Sequence, residues 1–419
     1  MAALGGGAAA QQAYLDAQLD DLVRFYQELH ANPELSFREK NTAKRLAAAL
    51  RQAGAEVTEG VGGHGLVGML TNGDGPLVMV RADLDALPIA EKTGLPYRSK
   101  IYTEDGEGRA AGIMHACGHD IHMTNLVGVA RWLVAHRDRW RGRVMLLGQP
   151  AEERSGGARA MLDAGLFRRF GKPVAGLAIH VSHDLAAGSI GFGAGAMMAN
   201  VDSVDVTMFG RGGHGAAPHL TIDPIVQAAQ LVLQLQTIVA REIDPTEPAV
   251  ITVGSIHGGQ KHNIIADRCQ LQLTVRSYSD AVREHLKQGI VRKAKAVAAG
   301  ARAPEPAVAF SEATPALIND AQLVARCVAA MRKELGDDKV VPVSRVMTAE
   351  DFGRFGRAGV PIFMFRVGSV AAERLAEFRR KAEPPPSLHS GTYYPDAKPT
   401  LRASIRATVA ALGALLGGH

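Results

Sequence analysis

Buried strands and amphipathic helices alternate along the first 190 residues, and this alternation restricts the fold more than any other feature. Helical spacing of apolar residues predicts helices over residues 15–30, 42–50, 123–136 and 156–165. Short apolar runs predict strands at residues 66–70, 77–80, 144–147 and 177–181. Strands that are separated by helices form a sheet with helices on both faces. The sequence therefore predicts an α/β fold for this part of the chain.

The pattern changes after about Ser189. Alternating strands are predicted at residues 201–209, 249–256 and 269–278, with helices over residues 224–239 and 281–299. This strand-helix-strand-strand-helix order is typical of an α+β unit with an antiparallel sheet of the ferredoxin-like kind. The Ala- and Pro-rich segment 298–306 is interpreted as the linker that returns the chain to the first domain.

The chain has 419 residues, too many for one ordinary core, so we expect two domains, the second inserted into the first. The first domain is predicted to comprise residues 15–190 and 305–419. The inserted domain, residues 191–304, is expected to act as a lid or dimerisation domain. Residues 1–14, which are rich in Gly and Ala, are predicted to form a disordered lead-in.

Charge and cysteine content exclude several classes of protein. The formal net charge is only +5, and no run of Lys and Arg alternates with aromatic residues, which argues against nucleic-acid binding. Three widely spaced cysteines, Cys117, Cys269 and Cys327, argue against a disulfide framework and for a reducing compartment. The chain shows no signal-peptide pattern and no apolar run long enough to span a bilayer. We therefore expect a cytoplasmic protein without a membrane partner.

Three histidines and a cysteine fall within eight residues, at His115, Cys117, His119 and His122. A Cys thiolate and a neutral His are natural ligands for zinc or a similar ion, and Gly118 lets the backbone fold tightly between them. We expect His115 and His122 to be neighbours of the site and not ligands. The alternative is a buried structural cysteine beside surface histidines, and the density of the motif favours the metal.

Two acidic segments follow predicted strands. Asp83 and Asp85 come after the strand 77–80, and Glu152 and Glu153 come after the strand 144–147. Open α/β sheets bind ligands at the carboxyl ends of their strands. Because successive side chains diverge, one Glu can bind metal while the other takes a proton from water. The alternatives are Asp residues that cap a turn and a solvated Glu-Glu-Arg face.

Other candidate residues are isolated in the sequence. Taken singly, His180 and His389 are weak candidates for metal ligands. Taken together, they could be the ligands that the cluster still lacks. His214 lies in the Gly-rich segment 210–219, whose backbone could approach a ligand closely or could instead be a mobile hinge. Asn263 and Arg276, also in the inserted domain, could hold a carboxylate.

These segments, in this order, resemble the M20 metallopeptidase family. More closely, they resemble its M20D branch of hippurate hydrolases, N-acyl-amino-acid amidohydrolases (aminoacylases) and plant auxin-conjugate hydrolases. The resemblance extends from about Leu29 to the C terminus and includes residues 32–36, 231–240 and 350–352 outside the site.

The resemblance implies a role for each candidate residue. Glu152 would be the general base, and Asp85 would orient a ligand or tune the site. His214 would steady the tetrahedral oxyanion, often from across a dimer, while the substrate carboxylate would bind Asn263 and Arg276. Two divalent ions, with Cys117 as the bridge, would be held by Cys117, His119, Glu153, His180 and His389.

The resemblance further implies a metal-dependent amidohydrolase that cleaves N-acyl or N-aroyl amino acids. Zinc is the expected ion, with manganese or cobalt as alternatives. The alternative functions are a di- or tripeptidase or a carboxypeptidase of the same family, and, in another class, a non-catalytic metal-binding protein. We also expect a homodimer or higher homo-oligomer, with residues 231–239 as a candidate apolar face, and a loop at 102–109 that lines the substrate entrance.

Overall fold

The computed structural model describes residues 6–104 and 110–417, and these residues form two compact units. Unit 1 comprises the chain up to Gly195, Ile318–Ser344, and the segment from Asp351 onward. Unit 2 comprises Ala196–Leu317 and Arg345–Glu350.

The helices and strands are numbered in chain order. The helices are α1 (Gly6–Ala31), α2 (Lys40–Gln52), α3 (His119–Ala135), α4 (Gly157–Asp163), α5 (Leu166–Phe170), α6 (Pro224–Glu242), α7 (Asp280–Gly300), α8 (Ala321–Leu335), α9 (Gly353–Arg357), α10 (Ala372–Lys381) and α11 (Ala397–Leu416). The strands are β1 (Glu56–Glu59), β2 (Leu66–Asn72), β3 (Leu77–Asp83), β4 (Tyr102–Glu104), β5 (Ala110–Gly112), β6 (Gly142–Gln149), β7 (Ala175–Ala186), β8 (Ile190–Phe192), β9 (Gly195–Met198), β10 (Asn200–Phe209), β11 (Gly213–His214), β12 (Ala249–Gly258), β13 (Ile264–Ile265), β14 (Arg268–Ser277), β15 (Ala307–Thr314), β16 (Leu317–Asn319), β17 (Val340–Pro342) and β18 (Ile362–Val370).

Unit 1 is built on a mixed sheet of eight strands in the order β1-β2-β6-β3-β7-β18-β8-β17. The central strands β6, β3, β7 and β18 are parallel, and every residue of β3 is buried, as expected for a strand that is covered on both faces. Helices α1, α3 and α11 contribute Leu22, Leu126 and Ile405 to the same core. The predicted α/β fold is confirmed.

The parallel strands bring the two acidic segments together at one edge of the sheet. β3 ends at Asp83, which lies opposite Gln149, the last residue of β6. Because the strands are parallel, the segments that follow them leave the sheet on the same side. The backbone N–H of Glu153 consequently donates a hydrogen bond to the carboxylate of Asp85, at 3.0 Å.

Unit 2 contains an antiparallel sheet of four strands in the order β12-β14-β10-β15. Its connectivity, β10-α6-β12-β14-α7-β15, has the β-α-β-β-α-β pattern of ferredoxin-like units. α6 begins with Pro224 at its first position, and the Asp223 side chain caps it by accepting two backbone N–H bonds. Leu231 of α6 and Leu271 of β14 belong to one buried core.

The inserted domain ends later in the chain than predicted, because it includes β15. The segment 298–306, interpreted as a return linker, instead contains the end of α7 and a short connection to β15, which pairs with β10. Unit 2 therefore extends to Leu317 and not to residue 304. Without β15, β10 would leave a row of backbone N–H and C=O groups without strand partners, and this requirement outweighs the weak local signal.

Two peripheral segments also differ from the prediction. α1 begins at Gly6, so residues 6–14 are helical and not part of a disordered lead-in. Ala-rich sequence has high intrinsic helix propensity, which explains the earlier start. In the loop predicted at 102–109, Tyr102–Glu104 forms β4 and pairs with β5, while residues 105–109 lie outside the described residues.

The candidate apolar face at residues 231–239 is used mainly inside unit 2. Leu231, Leu235 and Ile238 are fully buried in the core that α6 shares with the antiparallel sheet. Leu233, by contrast, is 71% exposed. Apolar residues at helical spacing do not reveal which partner covers them, so the sequence could not separate core packing from dimerisation.

An apolar run near the end of the sequence, residues 407–416, is also part of a core. It lies in α11, where Leu401 and Leu412 are buried within unit 1. Among the residues that the structure describes, no helix combines the length and apolar character needed to cross a bilayer.

Asp202 of β10 and Arg283 of α7 form a two-point ion pair in unit 2, at 2.6 and 2.8 Å, and the Asp202 side chain is fully buried. Replacing Arg283 with Met would leave a buried carboxylate without its cation. We expect Arg283→Met to lower the free energy of unfolding by about 3–5 kcal/mol in urea titrations. The double variant with Asp202→Asn should recover part of this loss; an equal loss in both variants would contradict the assignment.

Candidate metal centre and active site

The Cys117-Gly118-His119 turn places two buried donor groups at the start of α3. Gly118 has a φ of 76°, in the left-handed region, and a Cβ at this position would lie 2.5 Å from Cγ2 of Val181. Glycine is therefore required here for both its backbone angle and its lack of a side chain. Because the turn packs so closely on β7, the thiol and the imidazole of this motif lie next to His180.

Five candidate ligands converge in unit 1. Sγ of Cys117 lies 3.6 Å from Nε2 of His180. Oε1 of Glu153 lies 3.4 Å from Nε2 of His389 and 3.8 Å from Nε2 of His119. Two groups that could each hold a metal ion are built only from these five residues: Cys117, His119 and His180; and Cys117, Glu153 and His389. A further group joins His119 and Glu153 to Glu152. The first two groups share Cys117, which is the arrangement that a bridging thiolate would have.

The orientation of His119 fits a metal ligand. Its Nδ1 donates a hydrogen bond to the main-chain oxygen of Asp85 at 2.8 Å, so Nε2 carries the free lone pair of the neutral ring. Nε2 is buried and has no hydrogen-bond partner. The carboxylate oxygens of Asp83, Glu152 and Glu153 lie 3.5 to 4.0 Å from it, which is too far for hydrogen bonds. A cation shared with these neighbours would satisfy this nitrogen.

The electrostatics of the cluster also favour bound cations. Burial lowers the pKa of His119, but the surrounding carboxylates, Asp83 first, outweigh it and raise that pKa to about 10, so the ring is protonated at neutral pH unless a bound cation takes the place of that proton. Burial and the charges of Glu153 and Glu152 hold the pKa of the Cys117 thiol well above its usual value. A thiol in this position becomes a thiolate when divalent ions supply positive charge. Burial lowers the pKa of His180 to about 3, which keeps its imidazole neutral, as a ligand must be.

The two glutamates after β6 occupy a tight turn. Ala151 and Ser155 have positive φ values of 49° and 50°, which are unusual for residues with side chains. The Ser155 N–H donates a hydrogen bond to the carbonyl of Glu152 at 2.7 Å. Glu152 is 7% exposed, and its Oε2 lies 4.0 Å from Nε2 of His119. A carboxylate beside the cluster, in a largely dry environment, is well placed to accept a proton.

The two isolated histidines lie in different kinds of local structure. His180 lies inside the twelve-residue strand β7. Its Nδ1 donates a hydrogen bond to the carbonyl of Val181 at 2.8 Å, which directs Nε2 towards Cys117. His389 lies in a loop with a φ of 64°, and its N–H donates to the carbonyl of Ala116 at 3.0 Å. Positive φ at a non-glycine residue is often found at functional sites, where surrounding contacts maintain it.

Sequence reasoning missed a supporting role for His122. Its Nδ1 donates to Asp83 at 2.6 Å, and its Nε2 accepts the N–H of Val181 at 3.0 Å, so His122 fixes the strand next to His180. Asp83 also accepts a hydrogen bond from Arg81 at 2.6 Å. The available signal was the alternation of Arg81 and Asp83 at the end of the buried strand β3 with Asp85 just after it. These residues hold the candidate ligands in place, and both carboxylate oxygens of Asp83 already accept hydrogen bonds.

The remaining candidates lie in unit 2. His214 and Asn263 are exposed neighbours, because β11 pairs with β13 and the Gly215 N–H donates to the Asn263 carbonyl at 2.9 Å. Arg276 lies on β14, partly buried, and donates to the carbonyl of Met347 at 2.7 Å. His214 and Asn263 are thus brought together within this unit.

Comparison with known proteins agrees with the donor cluster. Residues 79–381 match the sequence profile of peptidase family M20/M25/M40. The chain belongs to this family. A hippurate hydrolase from Campylobacter jejuni is 36% identical to it over 81% of this chain and 86% of that protein. Thermostable carboxypeptidase 2 from Saccharolobus solfataricus is also 36% identical, over 83% of this chain and 85% of that protein.

The fold of this chain is also similar to a solved structure of a metal-binding M20 peptidase. A peptidase of the M20 family from Bacillus subtilis, described as dinuclear metal-binding, matches with a TM-score of 0.78 and 28% sequence identity. The match covers 96% of this chain and 99% of that one. The predicted family and the class of metal-dependent hydrolase are confirmed, and the donor groups together with this likeness support two divalent ions.

A substitution of Asp85 tests whether this side chain positions the candidate metal ligands. Its carboxylate accepts hydrogen bonds from Ser36 and from the backbone of Glu153, and its carbonyl accepts one from His119. In Asp85→Asn an amide replaces one carboxylate oxygen, so we expect metal affinity to fall about 10- to 100-fold, measured by chelator competition. Asp138→Asn, at an exposed aspartate of the same unit, should leave the affinity unchanged. Unchanged affinity in Asp85→Asn would contradict this role.

Proposed function

We propose that the protein hydrolyses the amide bond of N-acyl or N-aroyl amino acids. In this proposal the two divalent ions are held by Cys117, His119, Glu153, His180 and His389. The observation that carries the proposal is that a further side chain, the largely buried carboxylate of Glu152, lies beside these five donors. A protein that merely stored metal would have no need of this additional base.

The division of labour between the two glutamates follows from their neighbours. Glu153 lies within reach of Cys117 and His389 as well as His119, as expected of a ligand, whereas Glu152 is grouped only with His119 and Glu153 among the proposed ligands. Bound divalent ions would polarise the amide carbonyl and lower the pKa of water. Glu152 would accept the proton of the attacking water and return it to the leaving amine.

His214 is proposed as a hydrogen-bond donor to the oxyanion. Its Nδ1 accepts the backbone N–H of Ala216 at 3.0 Å, so the neutral ring carries its proton on Nε2. Nε2–H is then available as a donor to a negatively charged oxygen. Asn263 and Arg276, in the same unit, are proposed to bind the carboxylate of the amino-acid half.

A carboxypeptidase is the second candidate, because a relative with 36% identity carries that name. The two activities differ in the group on the acyl side of the scissile bond. N-acetyl and N-benzoyl amino acids test the first activity, and N-blocked dipeptides, in which the acyl side of the scissile bond is itself an amino-acid residue, test the second. Faster hydrolysis of the dipeptides would favour the carboxypeptidase.

Three finer features are also proposals. We propose zinc as the ion, because its chemistry suits mixed Cys, His and Glu ligands. A homodimer formed through unit 2 is proposed, with the exposed apolar residues Ile225, Val226 and Leu233 of α6 as candidate contacts. A cytoplasmic location agrees with three free cysteines.

The role of Glu152 is tested by Glu152→Gln. The variant keeps the shape of the side chain but cannot accept a proton, so we expect kcat to fall about 10²- to 10⁴-fold with metal content unchanged. Elemental analysis and a hydrolysis assay on the same sample measure both quantities. Glu153→Gln is the contrasting variant and should lose metal as well as activity. Full activity in Glu152→Gln would exclude it as the base.

The role of His214 is tested by His214→Ala. Loss of an oxyanion donor should lower kcat about 10²- to 10³-fold while KM and metal content change little. His219→Ala removes another exposed histidine of unit 2 and serves as the control. A rise in KM with constant kcat would indicate a role in substrate binding instead.

A further inference from the structure

A pocket of about 460 Å³ opens beside Glu153 in unit 1. It is lined by residues 35–38, 86–88 and 153–154. Its size is within the range of small-molecule sites. Because Glu153 is a proposed metal ligand, a group in this pocket would lie next to the bond that is cleaved.

The lining combines an apolar wall with two cations. Leu35, Phe37 and Leu87 supply apolar surface, and the Phe37 side chain is 54% exposed, unusual for such a large apolar residue. Arg38 and Arg154 are exposed, and neither forms an ion pair with any residue that the structure describes. The pocket therefore offers an aromatic surface and two guanidinium groups that have no carboxylate partner.

The turn that carries Phe37 and Arg38 is held in a strained conformation. Phe37 has a φ of 65°, and its N–H donates to Oε1 of Glu39 at 2.8 Å. The same oxygen accepts the N–H of Ala151 at 2.8 Å, and Glu39 is fully buried. Strained backbone of this kind is often found at ligand-binding sites. The turn is thus tied to the segment that carries the two glutamates.

A second connection links the pocket to the candidate metal centre. Oδ2 of Asp85 accepts the hydroxyl of Ser36 at 2.6 Å and the N–H of Glu153 at 3.0 Å. Ser36 and Glu153 both line the pocket. One buried carboxylate therefore sets the position of the pocket wall relative to the proposed metal ligand.

We propose that this pocket binds the acyl half of the substrate and that Arg38 and Arg154 select acyl groups that carry a second carboxylate. The preferred substrates would be N-acyl amino acids derived from aromatic or other dicarboxylic acids. A guanidinium binds a carboxylate with two parallel hydrogen bonds, and Phe37 provides a face for a ring. This inference rests on the proposed function, in which Asn263 and Arg276 bind the carboxylate of the amino-acid half.

The test compares two substrates that differ in one group. N-benzoyl and N-(4-carboxybenzoyl) derivatives of the same amino acid are supplied to the metal-loaded, full-length enzyme, and kcat/KM is measured for each. We expect the wild-type enzyme to favour the carboxybenzoyl substrate. In Arg38→Gln and in Arg154→Gln the ratio of the two kcat/KM values should fall about 10- to 100-fold, the effect of losing a hydrogen bond to a charged group.

Arg139→Gln is the matched control, since it removes the same charge from an exposed position elsewhere in unit 1. It should leave the ratio unchanged. An equal fall for both substrates in the Arg38 and Arg154 variants would overturn the proposal, because these residues would then serve the shared amino-acid half. A wild-type enzyme without preference for the second carboxylate would overturn it as well.

Equilibrium binding separates this inference from the proposed function. Terephthalate and benzoate are titrated into the wild-type protein and the same variants by calorimetry. Tighter binding of terephthalate that is lost in Arg38→Gln and Arg154→Gln supports the pocket, even if neither amide is hydrolysed and the proposed function fails. Equal affinity for the two acids, together with hydrolysis of both amides, refutes the selectivity and leaves the proposed function standing.

Discussion

The buried Asp85 side chain connects the segments from which the candidate metal centre is built. Its carboxylate accepts the Ser36 hydroxyl and the Glu153 N–H, and its carbonyl accepts Nδ1 of His119. Burial opposes the charge of this carboxylate, but hydrogen bonding to His119 and the other donors lowers its pKa below the usual value. An ionised Asp85 can therefore orient two proposed ligands and one wall of the adjoining pocket.

A second set of contacts supports the first. Arg81 donates hydrogen bonds to Asp83 and to Asp351, both fully buried, and His122 joins Asp83 to the backbone beside His180. Burying several carboxylates is costly unless cations and hydrogen-bond donors neutralise them. Arg81 supplies part of that positive charge. Divalent ions bound by the neighbouring donors would supply the rest, and metal binding would then stabilise this core.

A residue of the site could be predicted from the sequence when it belonged to a short, recognisable motif. The density of Cys117 and His119 in one short motif, and the glutamates after a buried strand, could be recognised directly in the sequence. His180 and His389 could not, because a lone histidine has the same appearance in a strand or loop whatever it contacts. The family resemblance implied that both are metal ligands, and the fold brings them within reach of the other donors in unit 1.

By itself, the sequence determined the alternation of strands and helices, the class of the fold and the chemistry of the central motif. These are consequences of local periodicity and residue type. Tertiary structure alone decided that β15 completes the second sheet, that Leu231 faces a core, and that His122 supports the strand of His180. It also decided that Phe37 and Arg38 share a pocket with Arg154. Such relations depend on contacts between residues far apart in the chain, and no local pattern contains them.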